Sequence, residues 1–310
     1  MRAILATALI GGVLFGAPHA LNAAPKAKNP EPQQTGMGPA APAVAKRSCP
    51  GNDDALGVSR VVEIDTTGGP GFGFQHYKAY DFLSPKEVVL TFDDGPLPTH
   101  TRTILAALAA ECVKATFFTV GKLAAGYPEV LRQVVKGGHT VGTHTVTHPN
   151  LAKMPFEKAK AEVEKSVSIA SRAAGAPVAP FFRFPYLKDS PELLKYLGSR
   201  NIAVFSTDLD SFDFKRRSPK RLIKNIMSNL GRKDKGILLM HDIQPNTAKA
   251  LPQLLKELKA KGYKIVHLTP KAPVVTLVEY DKLIEKDVKG LAAGNQRPLS
   301  SVVRTINGDQ

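Results

Sequence analysis

The chain contains 310 residues, and its 42 Lys and Arg against 27 Asp and Glu give a formal net charge of +15. This positive balance favours anionic neighbours through long-range attraction. Nucleic acid is nevertheless excluded as the expected partner. The cationic side chains are scattered, and the dense cluster at residues 215–221 has no interleaved aromatic side chains suited to stacking on bases.

The first 23 residues have the pattern of a secretory signal peptide. Met1-Arg2 precedes the apolar stretch Ala3 to Phe15, and small residues follow at Ala20 to Ala24. This run is shorter than the roughly 20 apolar residues of a membrane-spanning helix. We therefore expect an exported protein, periplasmic or secreted, with no stable membrane insertion after signal removal. A signal anchor is the alternative, because no cleavage site stands out in residues 19–24.

Composition divides the rest of the chain into four parts. Residues 24–47 are rich in Pro, Ala, Gln and Gly, which predicts a disordered linker. Residues 48–86 are interpreted as a loop-rich lead-in that packs on the folded domain, which is expected to span 87–270. Residues 271–310 are predicted to form a C-terminal extension, which becomes a tail from Gly290 onward.

The chain has two cysteines, Cys49 in the lead-in and Cys112 near the first predicted helix. Export would place both in an oxidising compartment, where a disulfide between them is one expectation. Pairing cannot be read from sequence, so a buried free thiol at Cys112 is the alternative.

Apolar runs alternate with helical patterns through the predicted domain. This alternation predicts an α/β fold in which helices cover a parallel sheet. Polar clusters at the strand ends fit a barrel with its site at the carboxyl end of the strands. The clearest helical patterns are Thr99–Glu111, Glu157–Ala174 and Pro252–Lys261, and the strands are predicted near 88–92, 115–119, 139–142, 181–184, 202–206, 236–240 and 264–268.

Two adjacent carboxylates, Asp93 and Asp94, end the first of these strands and precede Gly95. Side chains alternate along a strand, so the two carboxylates are expected to face different surroundings. One could bind a cation while the other handles a proton. Taken alone, Asp-Asp-Gly is also ordinary turn chemistry.

His144 and His148 are spaced four residues apart, which would bring both imidazoles to one face of a helical turn. Two His and one Asp form a plausible ligand set for zinc, with cobalt, nickel and manganese as alternatives. Three protein ligands with an open position are typical of a catalytic metal site, which indicates metal-assisted hydrolysis. Taken alone, the pair could also be two surface histidines.

Three further polar clusters follow strand-like runs, at Arg183 to Tyr186, Asp210 to Phe214 and Leu239 to His241. Five clusters in this order resemble the motifs of the polysaccharide deacetylases of carbohydrate esterase family 4, the NodB-homology domain. The resemblance covers roughly Glu87 to Leu268. It implies an irregular (β/α) barrel of about seven parallel strands, with the active site at their carboxyl ends.

The resemblance implies roles for the first group of matching residues. Asp93 matches the family's general base, and Asp94, His144 and His148 match the ligands of its divalent metal. Arg183 matches the arginine that orients the base.

The remaining matches concern proton donation and substrate contact. Tyr186 falls where a backbone N–H helps to stabilise the oxyanion. His241 matches the general acid, and Asp213 matches the carboxylate that holds and charges it. Leu239 and Phe214 resemble the walls of the pocket for the acetyl methyl group.

Two positions depart from the family's pattern. Phe214 stands where tryptophan is usual, which keeps an apolar wall but removes indole area and an N–H donor. Leu187 stands where many members have glycine, a residue that reaches backbone conformations leucine does not favour. The second departure bears on the shape of the substrate cleft.

The resemblance implies a metal-dependent hydrolase whose partner is an acetylated glycan. The leading expectation is N-deacetylation of an N-acetylglucosamine-containing glycan, either peptidoglycan or a chitooligosaccharide. An O-deacetylase of acetylxylan-type polysaccharide and an inactive carbohydrate-binding envelope protein are the alternatives. A complete set of acid, base and metal ligands argues against the inactive protein, since a binding module needs neither acid nor base. Specificity resides in loops, so the glycan and the oligomeric state stay open.

Overall fold

The computed structural model of the protein describes residues 49–215 and 218–285, which lie within one compact unit of the chain. The predicted signal peptide, the linker and the tail from Gly290 lie outside the described residues. The strands are β1 (Arg60–Ile64), β2 (Gly71–Phe72), β3 (Glu87–Asp93), β4 (Thr116–Thr119), β5 (Thr140–Thr143), β6 (Phe181–Phe182), β7 (Ala203–Phe205), β8 (Leu209–Asp210), β9 (Gly236–His241) and β10 (Lys264–Pro270). The helices whose two ends both lie in the described residues are α1 (Pro98–Ala110), α2 (Gly121–Gly126), α3 (Pro128–Lys136), α4 (Phe156–Ala174), α5 (Pro191–Ser199), α6 (Pro219–Lys233) and α7 (Pro245–Ala260), and residues 278–285 are also helical.

All ladders between these strands are parallel, which confirms the predicted α/β class. The sheet runs in the order β1-β10-β3-β4-β5-β6-β7-β2, and β9 pairs with both β3 and β8. Each of the seven predicted strands has a counterpart, and β1, β2 and β8 are additional. Only residues 206–208 separate β7 from β8, so the chain itself links the β6 side of the sheet to the β9 side.

The two faces of the sheet pack differently. All seven residues of β3 are buried, as expected for a strand covered on both faces. Val88, Leu90 and Phe92 belong to a core that the helices share. Val89 belongs to a second cluster, formed by side chains from strands, the lead-in and the loop before β6, to which none of α1 to α7 contributes. A sheet face that packs against itself in this way is curled, as in the expected irregular barrel.

The helical predictions hold closely for α1 and α4, but the start of α7 was predicted wrongly. The helix begins at Pro245, seven residues before the predicted start at Pro252, which lies inside it. An interior proline removes one helix hydrogen bond. The helix continues through Pro252 with buried side chains before and after it, at Leu251 and Leu254.

The lead-in is built into the sheet as well as packed on it. Strand β1 pairs with β10, and β2 pairs with β7. Cys49 and Cys112 form a disulfide with their Cα atoms 5.7 Å apart, which joins the start of the lead-in to the end of α1. In the part of the chain that the structure describes, no helix combines the length and apolarity needed to cross a bilayer.

Candidate active site

The two adjacent aspartates at the end of β3 lie in different environments. Asp93 is buried, and its Oδ1 accepts a hydrogen bond of 2.6 Å from Nη1 of Arg183. Asp94 has a φ of 79°, in the left-handed region that non-glycine residues seldom adopt. Asp93 is held by Arg183, whereas Asp94 has an oxygen within 3.6 Å of both His144 and His148, so the two side chains have different partners.

The segment from His144 to His148 is a loop and not the predicted helical turn. It follows β5, and both Thr145 and His148 have positive φ, at 69° and 60°. Glu162 of α4 holds the loop by accepting hydrogen bonds from the backbone N–H groups of residues 146 and 147, at 2.9 and 3.0 Å. The imidazole centroids lie 4.9 Å apart. The loop therefore brings the two histidines together, as a helical turn was expected to do.

Asp94, His144 and His148 each place one ligand atom in a cluster whose atoms lie within 4.8 Å of one another. Oδ1 of Asp94 is 3.6 Å from Nε2 of His144 and 3.4 Å from Nε2 of His148. Two ligand atoms that are each ~2.1 Å from a tetrahedral zinc ion lie about 3.4 Å apart. The spacing therefore fits a divalent cation such as zinc.

The surroundings of the Oδ1 atom of Asp94 are a second observation that fits a bound cation. It is buried and accepts no hydrogen bond from the described residues. A buried anionic oxygen without a partner is costly, and a cation would satisfy it. Nδ1 of His144 donates to the carbonyl oxygen of Arg183 at 2.6 Å, which leaves Nε2 with its lone pair towards the cluster. Burial also lowers the pKa of His144, which favours the neutral form that binds metals.

Arg183 is fully buried and lies against the ring of Phe118, with Cζ 4.2 Å from the ring centroid. Its guanidinium donates to Asp93, to Oγ1 of Thr91 at 2.8 Å and to the carbonyl oxygen of Ser206 at 2.9 Å. These contacts hold the arginine rigidly. Oδ1 of Asp93 is fixed as a result, while Oδ2 lies on the side of His144, 3.9 Å from Nε2.

His241 ends β9, in register with Asp93 on the neighbouring strand β3. Its Nδ1 donates to Oδ1 of Asp213 at 2.6 Å, and Oδ2 of Asp213 accepts from Oγ1 of Thr247 at 2.6 Å and from the backbone N–H of His241 at 2.7 Å. Burial lowers the pKa of His241, but the hydrogen bond and charge of Asp213, with the charges of Asp93 and Asp94, outweigh it and raise the pKa to about 9. The imidazole is therefore protonated at neutral pH, with Nε2 directed towards Asp94 at 4.0 Å.

Asp242, the residue after His241, was missed by the sequence analysis. Its carboxylate is buried, and it accepts hydrogen bonds from the backbone N–H of Gly95 at 2.8 Å and from Oγ1 of Thr101 at 2.6 Å. Burial raises the pKa of Asp242 to about 7, although these two hydrogen bonds oppose the shift. The aspartate that directly follows His241 was the available sequence signal. Glu162 was missed too, because a glutamate within a helix carries no such signal.

The predicted substrate-contacting residues surround the candidate metal and acid positions. Tyr186 is 62% exposed, and its ring centroid lies 4.8 Å from that of His148. On the other side, Phe214 is 47% exposed, with its centroid 5.8 Å from that of His241. Leu239 is buried two residues before His241 on β9. Leu187, where glycine was expected, has a φ of 55°, which accounts for the usual glycine.

The site therefore combines three chemical capacities at the carboxyl ends of the strands. One cluster can bind a divalent cation, a carboxylate anchored by an arginine can accept a proton, and a protonated imidazole can donate one. Exposed aromatic rings flank this set on two sides. Such an arrangement suits hydrolysis of an acyl bond in a substrate that packs against aromatic surfaces.

The chain is similar to known polysaccharide deacetylases. The family model described as polysaccharide deacetylase matches residues 82–204. The chain is 34% identical over 206 residues to a peptidoglycan-N-acetylglucosamine deacetylase of Bacillus cereus, covering 64% of this chain and 73% of that protein. It is 32% identical over 203 residues to a chitooligosaccharide deacetylase of a Bradyrhizobium species, covering 60% of this chain and 90% of that protein.

A solved structure gives the same result for the fold. A peptidoglycan deacetylase of Bdellovibrio bacteriovorus superposes with a TM-score of 0.63 at 34% identity, covering 69% of this chain and 59% of that one. The chain thus spans somewhat more than half the length of that structure, while it covers most of the two relatives above.

Proposed function

The chain belongs to the polysaccharide deacetylase family, and we propose that it is an exported, metal-dependent enzyme that removes N-acetyl groups from an N-acetylglucosamine-containing glycan. The observation that carries the proposal is the metal-ligand cluster of Asp94, His144 and His148. Within it, the buried Oδ1 of Asp94 has no hydrogen-bond partner among the described residues. The arginine-held Asp93 and the charged His241 lie beside this cluster.

Asp93 is the general base in the proposed reaction. Arg183 fixes Oδ1 through a hydrogen bond, which leaves Oδ2 to accept the proton of the attacking water. The buried guanidinium has three hydrogen-bond partners besides Asp93, at Thr91, Phe205 and Ser206, so the base cannot rotate freely.

His241 is the general acid that protonates the departing amine. The pKa of about 9 keeps Nε2 protonated until the amine leaves, and Asp213 holds the ring in place through Nδ1. The backbone N–H of Tyr186 donates to the substrate's carbonyl oxygen, which becomes an oxyanion when water attacks the carbonyl carbon. Leu239 and Phe214 contact the acetyl methyl group.

Asp94, His144 and His148 would hold the divalent cation, for which we propose zinc, with cobalt, nickel and manganese as the other candidates. When bound, the cation would supply Lewis-acid polarisation of the substrate carbonyl. Imidazole and carboxylate ligands suit this group of metals, and cellular availability decides among them.

Peptidoglycan and chitooligosaccharides are the proposed substrates, since the two relatives named above act on them. Both polymers carry the N-acetyl group that the site would hydrolyse. Export is proposed because the first 23 residues have a signal-peptide pattern and peptidoglycan, one of the two proposed substrates, is a cell-wall polymer.

Acetate release from a panel of peptidoglycan, chitooligosaccharides and acetylxylan tests the proposal, with zinc-loaded protein and Asp93→Asn as the matched control. The amide keeps the shape of the side chain but cannot accept a proton, so Asn at this position should abolish turnover and leave zinc binding largely intact. Release from an N-acetylated glycan alone supports the proposal, and release from acetylxylan alone identifies an O-deacetylase. Zinc binding without release from any polymer would favour the inactive carbohydrate-binding protein.

A further inference from the structure

Asp242 contacts none of the proposed ligands or proton-transfer groups through its side chain, yet its carboxylate is buried beside them. No ion pair with a described cationic residue neutralises it, and Gly95 and Thr101 supply its side-chain hydrogen bonds. Burying a carboxylate without a cationic partner costs free energy. We therefore expect its hydrogen bonds to have a specific role. Gly95 directly follows the proposed metal ligand Asp94, which suggests what that role is.

Gly95, the residue after Asp94, is held through both its backbone N–H and its carbonyl oxygen. The N–H donates to Oδ1 of Asp242 at 2.8 Å. The carbonyl oxygen of Gly95 accepts from Oγ1 of Thr119 at 2.6 Å and from the backbone N–H of Val120 at 3.1 Å. The backbone N–H of Asp242 also donates to the carbonyl oxygen of Asp93 at 3.2 Å. The backbone N–H of Asp94 itself donates to the carbonyl oxygen of Phe118 at 3.2 Å. Five hydrogen bonds therefore fix the backbone from Asp93 to Gly95.

This fixation matters because Asp94 adopts a φ of 79°, in a region that is uncommon for residues other than glycine. Such a conformation persists only where surrounding contacts determine it. The conformation also aims Oδ1 at His144 and His148. Only glycine fits at the next position, because a Cβ at Gly95 would overlap the carboxylate of Asp242.

We propose that Asp242 is a positioning residue that holds the metal ligand Asp94 in its binding conformation through the Gly95 amide. The inference rests on the proposed metal site and assigns Asp242 no contact with substrate. Thr101 completes the arrangement, since its hydroxyl donates to Oδ2 and accepts from the backbone N–H of Leu97 at 2.8 Å. The carboxylate is thereby anchored to the first turn of α1.

The test is zinc binding to metal-free protein, measured by calorimetric titration with Zn²⁺ alone. Loss of a residue that orients a metal ligand typically costs about 10- to 100-fold in affinity. Asp242→Ala should therefore raise the Kd for zinc at least about tenfold. Asp242→Asn keeps an acceptor oxygen for the Gly95 amide and should restore most of the affinity.

Asp208→Ala is the matched control. The carboxylate of Asp208 also accepts two hydrogen bonds, both from backbone N–H groups, of Phe74 at 2.6 Å and Ile237 at 2.7 Å, but it makes no contact with the turn after β3. This variant should lower the unfolding temperature and leave the Kd for zinc unchanged. An equal loss of affinity in Asp208→Ala and Asp242→Ala would refute the proposal, since general loosening of the fold would then explain both.

A second variant covers the case in which Asp242→Ala does not fold. Thr101→Val is nearly isosteric and removes the donor to Oδ2, so it should raise the Kd several-fold; an unchanged Kd would refute the proposal. Saturating zinc should restore acetate release by Asp242→Ala but not by Asp93→Asn. Failure of the wild-type protein to bind zinc would refute the metal site itself, whereas wild-type affinity in Asp242→Ala would refute only the role of Asp242.

Discussion

The two halves of the candidate site satisfy their polar groups in opposite ways. In the half formed by Asp213 and His241, the carboxylate accepts three hydrogen bonds and the imidazole is charged by its neighbours. In the half formed by Asp94, His144 and His148, a buried carboxylate oxygen lacks a partner among the described residues. The first half is complete in itself, whereas the second is arranged around something it must bind. A proton donor can be formed by hydrogen bonds among side chains of the chain itself. In a cation site, by contrast, the ligand atoms must stay unpaired with one another, so other contacts have to hold them in place.

Removing one histidine from each half should give the largest effects and separate the halves. His241→Ala should lower turnover by about 10²- to 10⁴-fold, the usual contribution of a general acid, and leave zinc affinity close to that of the wild type. His144→Ala should abolish turnover and weaken zinc binding by more than the roughly 10- to 100-fold cost of losing an outer partner. Acetate release and calorimetric titration with zinc measure both. Equal zinc affinity in the two variants would contradict the division.

A pH profile sharpens the account of the acid half. In the wild type, release should fall as His241 loses its proton near pH 9. Asp213→Asn removes the charge that raises the pKa, so the upper limit of activity should move down towards the ordinary value of about 6.5. At pH 8 the protonated fraction, and with it the rate, should drop by about 30-fold. An unmoved upper limb would exclude His241 as the group that titrates.

The same pair should also make stability depend on pH. The folded-state pKa of His241 lies above the unfolded value, so its contribution to the free energy of unfolding is fully present below pH 6.5. The contribution is lost as the pH rises through about 9. Urea unfolding at pH 6 and pH 9.5 should show a smaller loss of stability in Asp213→Asn than in the wild type.

The smallest expected effect lies in the loop beside the metal half. Leu187 has a φ of 55°, a conformation that costs a non-glycine residue roughly 1–2 kcal/mol. Leu187→Gly should relieve this strain and, after the entropy cost of glycine, stabilise the protein by about 0.5–1 kcal/mol in urea unfolding. Lys188→Gly is the matched control and should destabilise, because Lys188 has an ordinary φ of −103°. Destabilisation by both variants would show that the leucine side chain contributes more than the strain costs.

Much of the fold was predictable because its signals are local. The apolar run Val88 to Phe92 predicted β3, and all seven residues of that strand are buried. The start of α7 was not predictable in this way, since Pro252 resembles a helix start when tertiary packing is ignored. Strands β2 and β8, of two residues each, are too short to carry a pattern of their own.

The sequence by itself determined which side chains meet in the site, because parallel strands bring their carboxyl ends to one edge and the polar clusters follow those ends. The strand-end pattern drew attention to Asp93, Asp94, Arg183 and His241, and the family resemblance supplied their predicted roles. Tertiary structure alone decided how they are held. The loop from His144 to His148 is held by Glu162, and Gly95, the residue after Asp94, is held by Asp242 and Thr119. These partners are distant along the chain, and their hydrogen bonds arise only after the sheet has brought its strands together.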